Sequence, residues 1–285
     1  MLRKLAMFVV LSGFTAAAGA ATAPYSNNFD GTGSNVDLDA GGNGGTEVVT
    51  SSAGGAWTVG SGAYTLNVTN TPNAAGANNV STAALPVTSV NTGNWFISSQ
   101  FTVNSVSADS TAGRGLGIGF GAFGSTSTFS STGTNKYYLA DFSYLNGGTG
   151  VGGAQGTVRI LTITSGGNTT VASNVDAIPD GALVNGTTYT LRLSGTYAGT
   201  PGSSALTMTL GVYDAAGTTL IGSSVVGTDA APLSGANFGY RINYNDGGKS
   251  YNVSFDNLQV VPEPASMSLL GLAGLIALRR RSRCA

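Results

Sequence analysis

The sequence contains no histidine, and its single cysteine, Cys284, is the residue before the last. Serine and cysteine hydrolases usually need a positioned base, most often histidine, so this absence argues against both classes. The G-x-S-x-G motif of a nucleophile elbow is also missing. For the same reasons, the body of the chain has no disulfide bond and no thiolate or imidazole metal site.

Charged residues are scarce, at 9% of the chain, and glutamate occurs only at Glu47 and Glu263. Glycoside hydrolysis needs two carboxylates about 5–10 Å apart. A strand carrying E-x-D-x-E, which would place them on one face, is absent; an aspartate pair drawn from different strands stays open. Because both the usual base and this carboxylate motif are missing, we expect no enzymatic activity.

Residues 24–261 contain six Lys/Arg against twelve Asp/Glu, and this net charge of −6 argues against nucleic-acid binding.

What the sequence does contain is glycine, at 44 residues, with abundant Thr, Ser and Asn and a hydrophobic fraction of 41%. Segments of alternating or β-branched residues recur between turn residues, and no convincing amphipathic helix separates them. The predicted strands are residues 57–59, 64–68, 95–103, 116–122, 137–144, 158–164, 188–197, 206–213, 238–244 and 251–260. Ten strands without crossover helices predict an all-β, two-sheet antiparallel β-sandwich over residues 24–260.

Several of these segments carry a family resemblance. Residues 95–103, 115–120, 137–142 and 253–258 resemble strands of concanavalin A-like jelly rolls, the fold of laminin-G-like and legume-lectin-type domains. The resemblance implies a lectin or glucanase type of sandwich. Residues 119–124 also match G-x-G-x-x-G, but no helical pattern follows, so we interpret these glycines as close packing within a strand.

The N-terminal residues 1–23 have the pattern of a secretory signal peptide. Arg3 and Lys4 precede an apolar segment of about ten residues that would form a signal helix. Two A-x-A cleavage patterns follow, at residues 18–20 and 21–23, and Pro24 after the second makes the cut after Ala20 the better one.

The C-terminal residues 261–285 form a three-part tail. The uncharged residues 265–278 would form a short apolar helix of ~21 Å, which is less than the ~30 Å hydrocarbon core of a bilayer. The extended motif before this segment is Val261, Pro262, Glu263 and Pro264, and the basic membrane stop after it is Arg279, Arg280, Arg281 and Arg283. This order resembles the PEP-CTERM sorting signal. The resemblance implies export, transient anchoring in the inner membrane, and recognition by an exosortase.

Two sets of side chains are candidates for binding. Aspartates near loops or strand ends predict a calcium site, although they also fit solvated turns, and no EF-hand is present because Val48 stands where its last ligand should be. The calcium candidates are Asp37, Asp39, Asp109 and Asp141. Exposed aromatic rings could stack on a sugar, although alternation places about half of them in the core. The carbohydrate candidates are Tyr137, Tyr138, Tyr240 and Tyr244.

These features predict an exported, exosortase-sorted protein of the cell surface or exopolysaccharide matrix, with a structural or interaction domain that does no chemistry. The alternative is a calcium-dependent, lectin-like carbohydrate-binding module. A cryptic glycoside hydrolase is a third hypothesis from a different class. The expected partners are the exosortase, the export machinery, the membrane before processing, and exopolysaccharide.

Overall fold

The computed structural model describes residues 21–31, 37–38, 45–49, 55–60, 62–68, 79–88, 93–106, 116–126, 129, 135–144, 156–165, 167–244 and 250–262. Within these ranges all regular structure is β. The strands are β1 (Ala21–Thr22), β2 (Tyr25–Asn27), β3 (Thr46–Val49), β4 (Gly55–Gly60), β5 (Ala63–Val68), β6 (Asn79–Thr88), β7 (Asn94–Val106), β8 (Leu116–Gly124), β9 (Tyr137–Tyr144), β10 (Val158–Thr164), β11 (Gly167–Asn174), β12 (Thr188–Tyr197), β13 (Leu206–Tyr213), β14 (Val225–Asp229), β15 (Asn237–Tyr244) and β16 (Tyr251–Pro262).

The strands form two sheets. The first sheet has the order β1-β6-β15-β8-β9-β10-β11, and β3 also pairs with β6. The second has the order β14-β13-β12-β7-β16-β5-β4, and β2 also pairs with β16. All pairings are antiparallel except the two-residue pairing of β1 with β6. The predicted all-β, two-sheet antiparallel sandwich is confirmed, and each of the ten predicted strands is present.

The core lies between the sheets and follows from the period-two pattern of the strands. In β7 burial alternates from Asn94 to Val103, because successive residues of a strand point to opposite faces. At the centre the ring of Tyr240 from the first sheet stacks on Phe255 from the second, with centroids 4.2 Å apart. Trp57 and Tyr64 add further rings to this stack. This aromatic cluster joins the two sheets.

The G-x-G-x-x-G segment lies in β8 and continues into bends at Ser125 and Thr126, and none of the residues described between it and β9 is helical. A Cβ atom on Gly119 would stand 2.4 Å from the carbonyl oxygen of Ala140, and one on Gly121 would stand 2.3 Å from the ring of Phe129. Both positions therefore require glycine for close packing. The interpretation of these glycines as packing residues is confirmed.

Buried tyrosines make the sandwich sensitive to alkali. Burial raises the pKa of Tyr251 to about 12 and raises the pKa of Tyr64 and Tyr240 further, from an ordinary value of 10.0. A raised pKa in the folded state means that the stabilisation is complete below pH 10 and is lost as the pH rises above it. Each of these tyrosines then lowers the free energy of unfolding by ~1.4 kcal/mol per pH unit until its folded pKa is reached.

We therefore expect the unfolding free energy to be nearly flat from pH 5 to 8, where a chain without histidine has little to titrate, and to fall steeply above pH 10. Urea unfolding followed by circular dichroism across this range measures the effect. A transition centred near pH 6–7 would contradict this assignment of the titrating groups.

The N-terminal strand β2 pairs with the last strand of the chain, β16. β2 pairs with residues Leu258 to Val260 of β16, and β16 continues through Val261 and Pro262, which lie opposite Phe96 and Trp95 of β7. The strand thus runs two residues beyond its predicted end, so Val261 and Pro262 of the sorting motif belong to the sheet. β1 begins at Ala21, so a cut after Ala20 would keep it whole, whereas a cut after Ala23 would remove it.

The remaining tail residues and the signal segment lie outside the described residues, including Glu263, Pro264 and the four arginines Arg279, Arg280, Arg281 and Arg283. In the part that is described, no helix has the length and hydrophobicity that a membrane crossing requires.

Candidate functional site

The tyrosines predicted to bind carbohydrate lie in the interior. Tyr137, Tyr138 and Tyr240 are each 0% exposed. The hydroxyl of Tyr138 donates to Asp229, and the hydroxyl of Tyr240 lies 2.8 Å from Ser99 Oγ. These rings offer no face to a sugar, so the structure corrects their assignment from a binding surface to packing. The side chain of Tyr244 lies outside the described residues.

The structure does not bring the predicted calcium aspartates together. Asp141 is buried in a bidentate ion pair with Arg159, with Nε–Oδ1 at 2.7 Å and Nη2–Oδ2 at 2.9 Å. A carboxylate that is neutralised in this way is a poor metal ligand. Asp37 lies near Tyr64, whose pKa its charge helps to raise, and Asp39 and Asp109 lie outside the described residues. Across the described ranges, no three acidic, histidine or cysteine side chains are placed to hold a metal ion.

The outer face of the second sheet carries many polar side chains. Its central strands turn apolar residues inward, so the alternate positions face outward and are almost all polar. The outward residues of β7 and β12 include Phe96, Ser98, Gln100, Thr102, Thr188, Thr190 and Arg192. β16 adds Ser254, Asp256 and Gln259 to the same face. The strand register places Ser98 opposite Arg192 on one side and opposite Gln259 on the other.

A groove of about 300 Å³ lies on this face. We call it the outer groove, and its lining residues are Phe96, Ser98, Gln100, Thr190, Arg192, Ala215, Ala216, Gly217, Asn257 and Gln259. The loop after β13 forms one wall. This wall is attached to the sheet because Gln100 Nε2 and Thr190 Oγ1 both donate to the carbonyl of Ala215, over 2.9 and 3.2 Å.

The loop that forms this wall is held in a tight turn by Asp214. The carboxylate of Asp214 accepts the Thr218 backbone N–H over 2.8 Å, and these backbone bonds lower the pKa of Asp214 to about 2. Because a lowered pKa keeps the carboxylate ionised, the turn retains its bonds at all pH values above that range. The wall of the groove is therefore independent of pH under physiological conditions.

Arg192 and Phe96 form a pair in the outer groove. The guanidinium carbon of Arg192 lies 4.6 Å from the centroid of the Phe96 ring, which is a cation–π contact. Both side chains are half-buried. Gly211 lies opposite Arg192 on the other neighbouring strand and carries no side chain. Phe96 is the aromatic side chain of the groove, and its partner brings a positive charge.

A second cavity of about 190 Å³ shares Gln100 with the outer groove. It contains Asp256, which is followed by a β-bulge. Asp256 pairs with Gln100 and Gln259 pairs with Ser98, so β16 has one more residue than β7 between the two pairs. Asn257 occupies the bulge with a φ of 51°, a conformation that asparagine tolerates better than most residues. Its backbone N–H and its amide both donate to Asp256, and Gln100 Oε1 accepts a further bond from the amide. Burial raises the pKa of Asp256, and the bond from the Asn257 N–H opposes that shift.

The polar groups of the face can form hydrogen bonds with a ligand. The two cavities are lined by hydroxyls, amides, one arginine and one carboxylate, Asp256. Amide and hydroxyl groups both donate and accept hydrogen bonds, as sugar hydroxyls do. Hydrolysis of a glycosidic bond requires a second carboxylate, and neither lining supplies one. The sequence pattern placed Arg192 on the outward face of its strand but gave no reason to select it as a binding residue.

The comparison with protein families agrees with the tail. Residues 260–283 match the PEP-CTERM protein-sorting motif, which is the motif of an exported protein that is processed at the membrane. No curated protein matches the chain in sequence.

Similar solved structures include three proteins, each with low identity. The Emp46p carbohydrate recognition domain in its metal-free form is 12% identical, covers 84% of this chain and 96% of its own, and has a TM-score of 0.47. The Ca2+/Man3GlcNAc-bound exoplasmic/lumenal domain of VIP36 is 10% identical, covers 73% and 82%, and scores 0.41. Alginate lyase vAL-1 from Chlorella virus is 12% identical, covers 76% and 91%, and scores 0.42. These likenesses concern the fold alone.

Proposed function

We propose that this chain is an exosortase-processed protein of the cell surface or extracellular matrix, whose non-catalytic sandwich binds polysaccharide through the outer groove. The sorting motif at residues 260–283 supports the destination. The single observation that supports the binding role is the composition of the groove, which combines one aromatic ring with amide and hydroxyl side chains on the outer face of the sheet. Sugar rings present apolar faces and rims of hydroxyls, so both kinds of group find partners.

The absence of catalysis is part of the proposal. Histidine is missing from the chain, and the outer groove with its adjoining cavity contributes Asp256 as its carboxylate. A single carboxylate leaves a glycosidase without either its acid or its nucleophile. The groove also takes its polar contacts from amides and hydroxyls, so we propose that binding does not depend on calcium.

The full-length chain in detergent, tested on a panel of bacterial and plant polysaccharides, should retain at least one polymer without releasing reducing sugars. Replacing Gln259 by Ala removes an exposed amide of the groove and should weaken binding about 3- to 10-fold, the effect of about one hydrogen bond. Asn67→Ala is the matched control, because Asn67 is an exposed amide on β5 of the same sheet and lines neither cavity.

Three outcomes separate the hypotheses. Binding lost on addition of a chelator would favour the calcium-dependent lectin. Release of sugar would favour a hydrolase. Retention that is equal for the wild type, Gln259→Ala and Asn67→Ala would remove the outer groove from the proposal.

A further inference from the structure

The positively charged side chains of the described residues differ sharply in what they contact. Four such side chains are described: Lys136, Arg159, Arg192 and Arg241. Arg159 is paired with Asp141, and Arg241 is buried, with its Nε donating to the carbonyl of Phe129. Lys136 is exposed and precedes β9 in the first sheet, away from the groove. Arg192 is the cation that lines the outer groove.

The contacts of Arg192 leave its hydrogen bonds available. The guanidinium carbon of Arg192 lies 4.6 Å from the Phe96 centroid, and the side chain makes no ion pair with the described residues. A guanidinium carries five N–H donors in its plane. The contact with Phe96 involves the charge of the group, and no described residue accepts a hydrogen bond from these donors, so the N–H groups are available to a ligand. The fork of these N–H groups matches the two oxygens of a carboxylate.

The neighbours of Arg192 fit the rest of an acidic sugar unit. Ser98 and Gln259 lie in one row with Arg192 across three adjacent strands, and neighbouring strands are ~4.8 Å apart. The hydroxyl of Ser98 and the amide of Gln259 are thus within reach of the hydroxyls of one or two sugar units. Phe96 lies two residues from Ser98 on β7, the central strand of the three, and supplies an aromatic ring beside the row. The set therefore consists of one guanidinium that can bind a carboxylate, one aromatic ring and two neutral hydrogen-bonding groups.

We propose that the Arg192–Phe96 pair is a subsite for the carboxylate of a uronate unit, so that the ligand of the outer groove is an acidic polysaccharide. This rests on the proposed function and specifies its ligand class. Residues 24–261 carry a net charge of −6. The overall charge therefore favours recognition of an acidic polymer at one site over general electrostatic attraction to it. A polyanion is not drawn to such a surface as a whole, so its binding depends on Arg192, which lines the groove and makes no ion pair with the described residues.

The test compares two polymers that differ in the carboxylate alone: polygalacturonate and its fully methyl-esterified form. The wild-type full-length chain should bind the acid form about 10- to 100-fold more tightly, the range for hydrogen bonds to a charged group. Arg192→Gln should abolish this preference by lowering the affinity for the acid form to about the affinity for the ester. Arg192→Lys keeps the charge but loses the fork, and it should lose most of the preference.

Lys136→Gln is the matched control, because it removes the same charge from outside the groove and should preserve the preference. The arginines of the C-terminal tail are common to all variants, so differences between variants report on the groove. A thermal melt of each variant shows whether it is folded. If Arg192→Gln is not folded, the conservative variant Arg192→Lys still tests the preference for the acid form.

The outcomes separate this proposal from the broader one. Equal affinity of the wild type for acid and ester, or an unchanged preference in Arg192→Gln, would overturn the uronate subsite while polysaccharide binding stands. Tighter binding of dextran sulfate than of polygalacturonate would also overturn it. If the wild type retains no polymer at all, the proposed function itself fails.

Discussion

Replacing Tyr240 by Ala should lower the free energy of unfolding by about 3–5 kcal/mol, the range for deleting a buried aromatic ring. Tyr240 is 0% exposed, and its ring lies 4.2 Å from that of Phe255 across the sandwich and 6.0 Å from that of Phe120. The deletion would leave a cavity where the two sheets are joined. Because typical domains are stable by only 5–15 kcal/mol, this loss is a large part of the total.

Tyr240→Phe is the matched control for this variant. It keeps the ring and removes the hydroxyl that lies 2.8 Å from Ser99 Oγ. Ser99 Oγ retains the carbonyl of Asp256 as an acceptor, so we expect a loss of only about 1 kcal/mol. Urea unfolding measures both variants. If the Ala and Phe variants were equally stable, the aromatic cluster would not be what joins the sheets.

Replacing Glu263 and Pro264 together by Ala should leave most of the chain as uncut precursor in the inner-membrane fraction of a host that has an exosortase. The match to the sorting motif covers both residues. Glu263 is the one charged residue between Asp256 and Arg279, and the prolines on either side of it restrict the backbone to extended conformations. The change removes the charge and one of the two constraints from the recognition element. Fractionation and immunoblotting measure the ratio of precursor to processed protein.

Ser266→Ala provides the control, because it lies in the tail but outside the Pro-Glu-Pro sequence. Its processing should equal that of the wild type. The fold of the sandwich should be the same in all three proteins, since Glu263 follows the last residue of β16. Normal processing of the double variant would show that the motif is incidental to sorting.

The strands that could be predicted from the sequence are those with one buried and one wet face. β12 and β7 alternate clearly and were predicted at or near their true limits. β6 was not predicted, because both of its faces are buried around small residues: Ala83 packs in the main core and Ala84 in a smaller cluster on the other side. β11 was missed for the opposite reason, since this edge strand buries almost nothing and its sequence shows no alternation.

The candidate site could be predicted only in part. Alternation placed Arg192 on an outward face, but its contact with Phe96 depends on which strand lies next to β12. That neighbour is β7, about ninety residues earlier in the chain, and nothing in a single sequence specifies the pairing. The tyrosines chosen for a sugar site were drawn from β9 and β15, whose residues are buried on both faces of the first sheet. Exposure there is decided by tertiary packing, which the local pattern does not report.

The position of β16 has a consequence for the order of events during secretion. The final twelve-residue strand fills the middle of the second sheet, between β7 and β5. Until it has crossed the membrane, those two neighbours have open edges that are prone to associate with other chains. On the proposed route the apolar segment 265–278 follows β16 closely, so closure of the sandwich and arrest in the bilayer would occur almost together. A polypeptide truncated before residue 251 would lack both the central strand and this segment, and we expect it to aggregate after export.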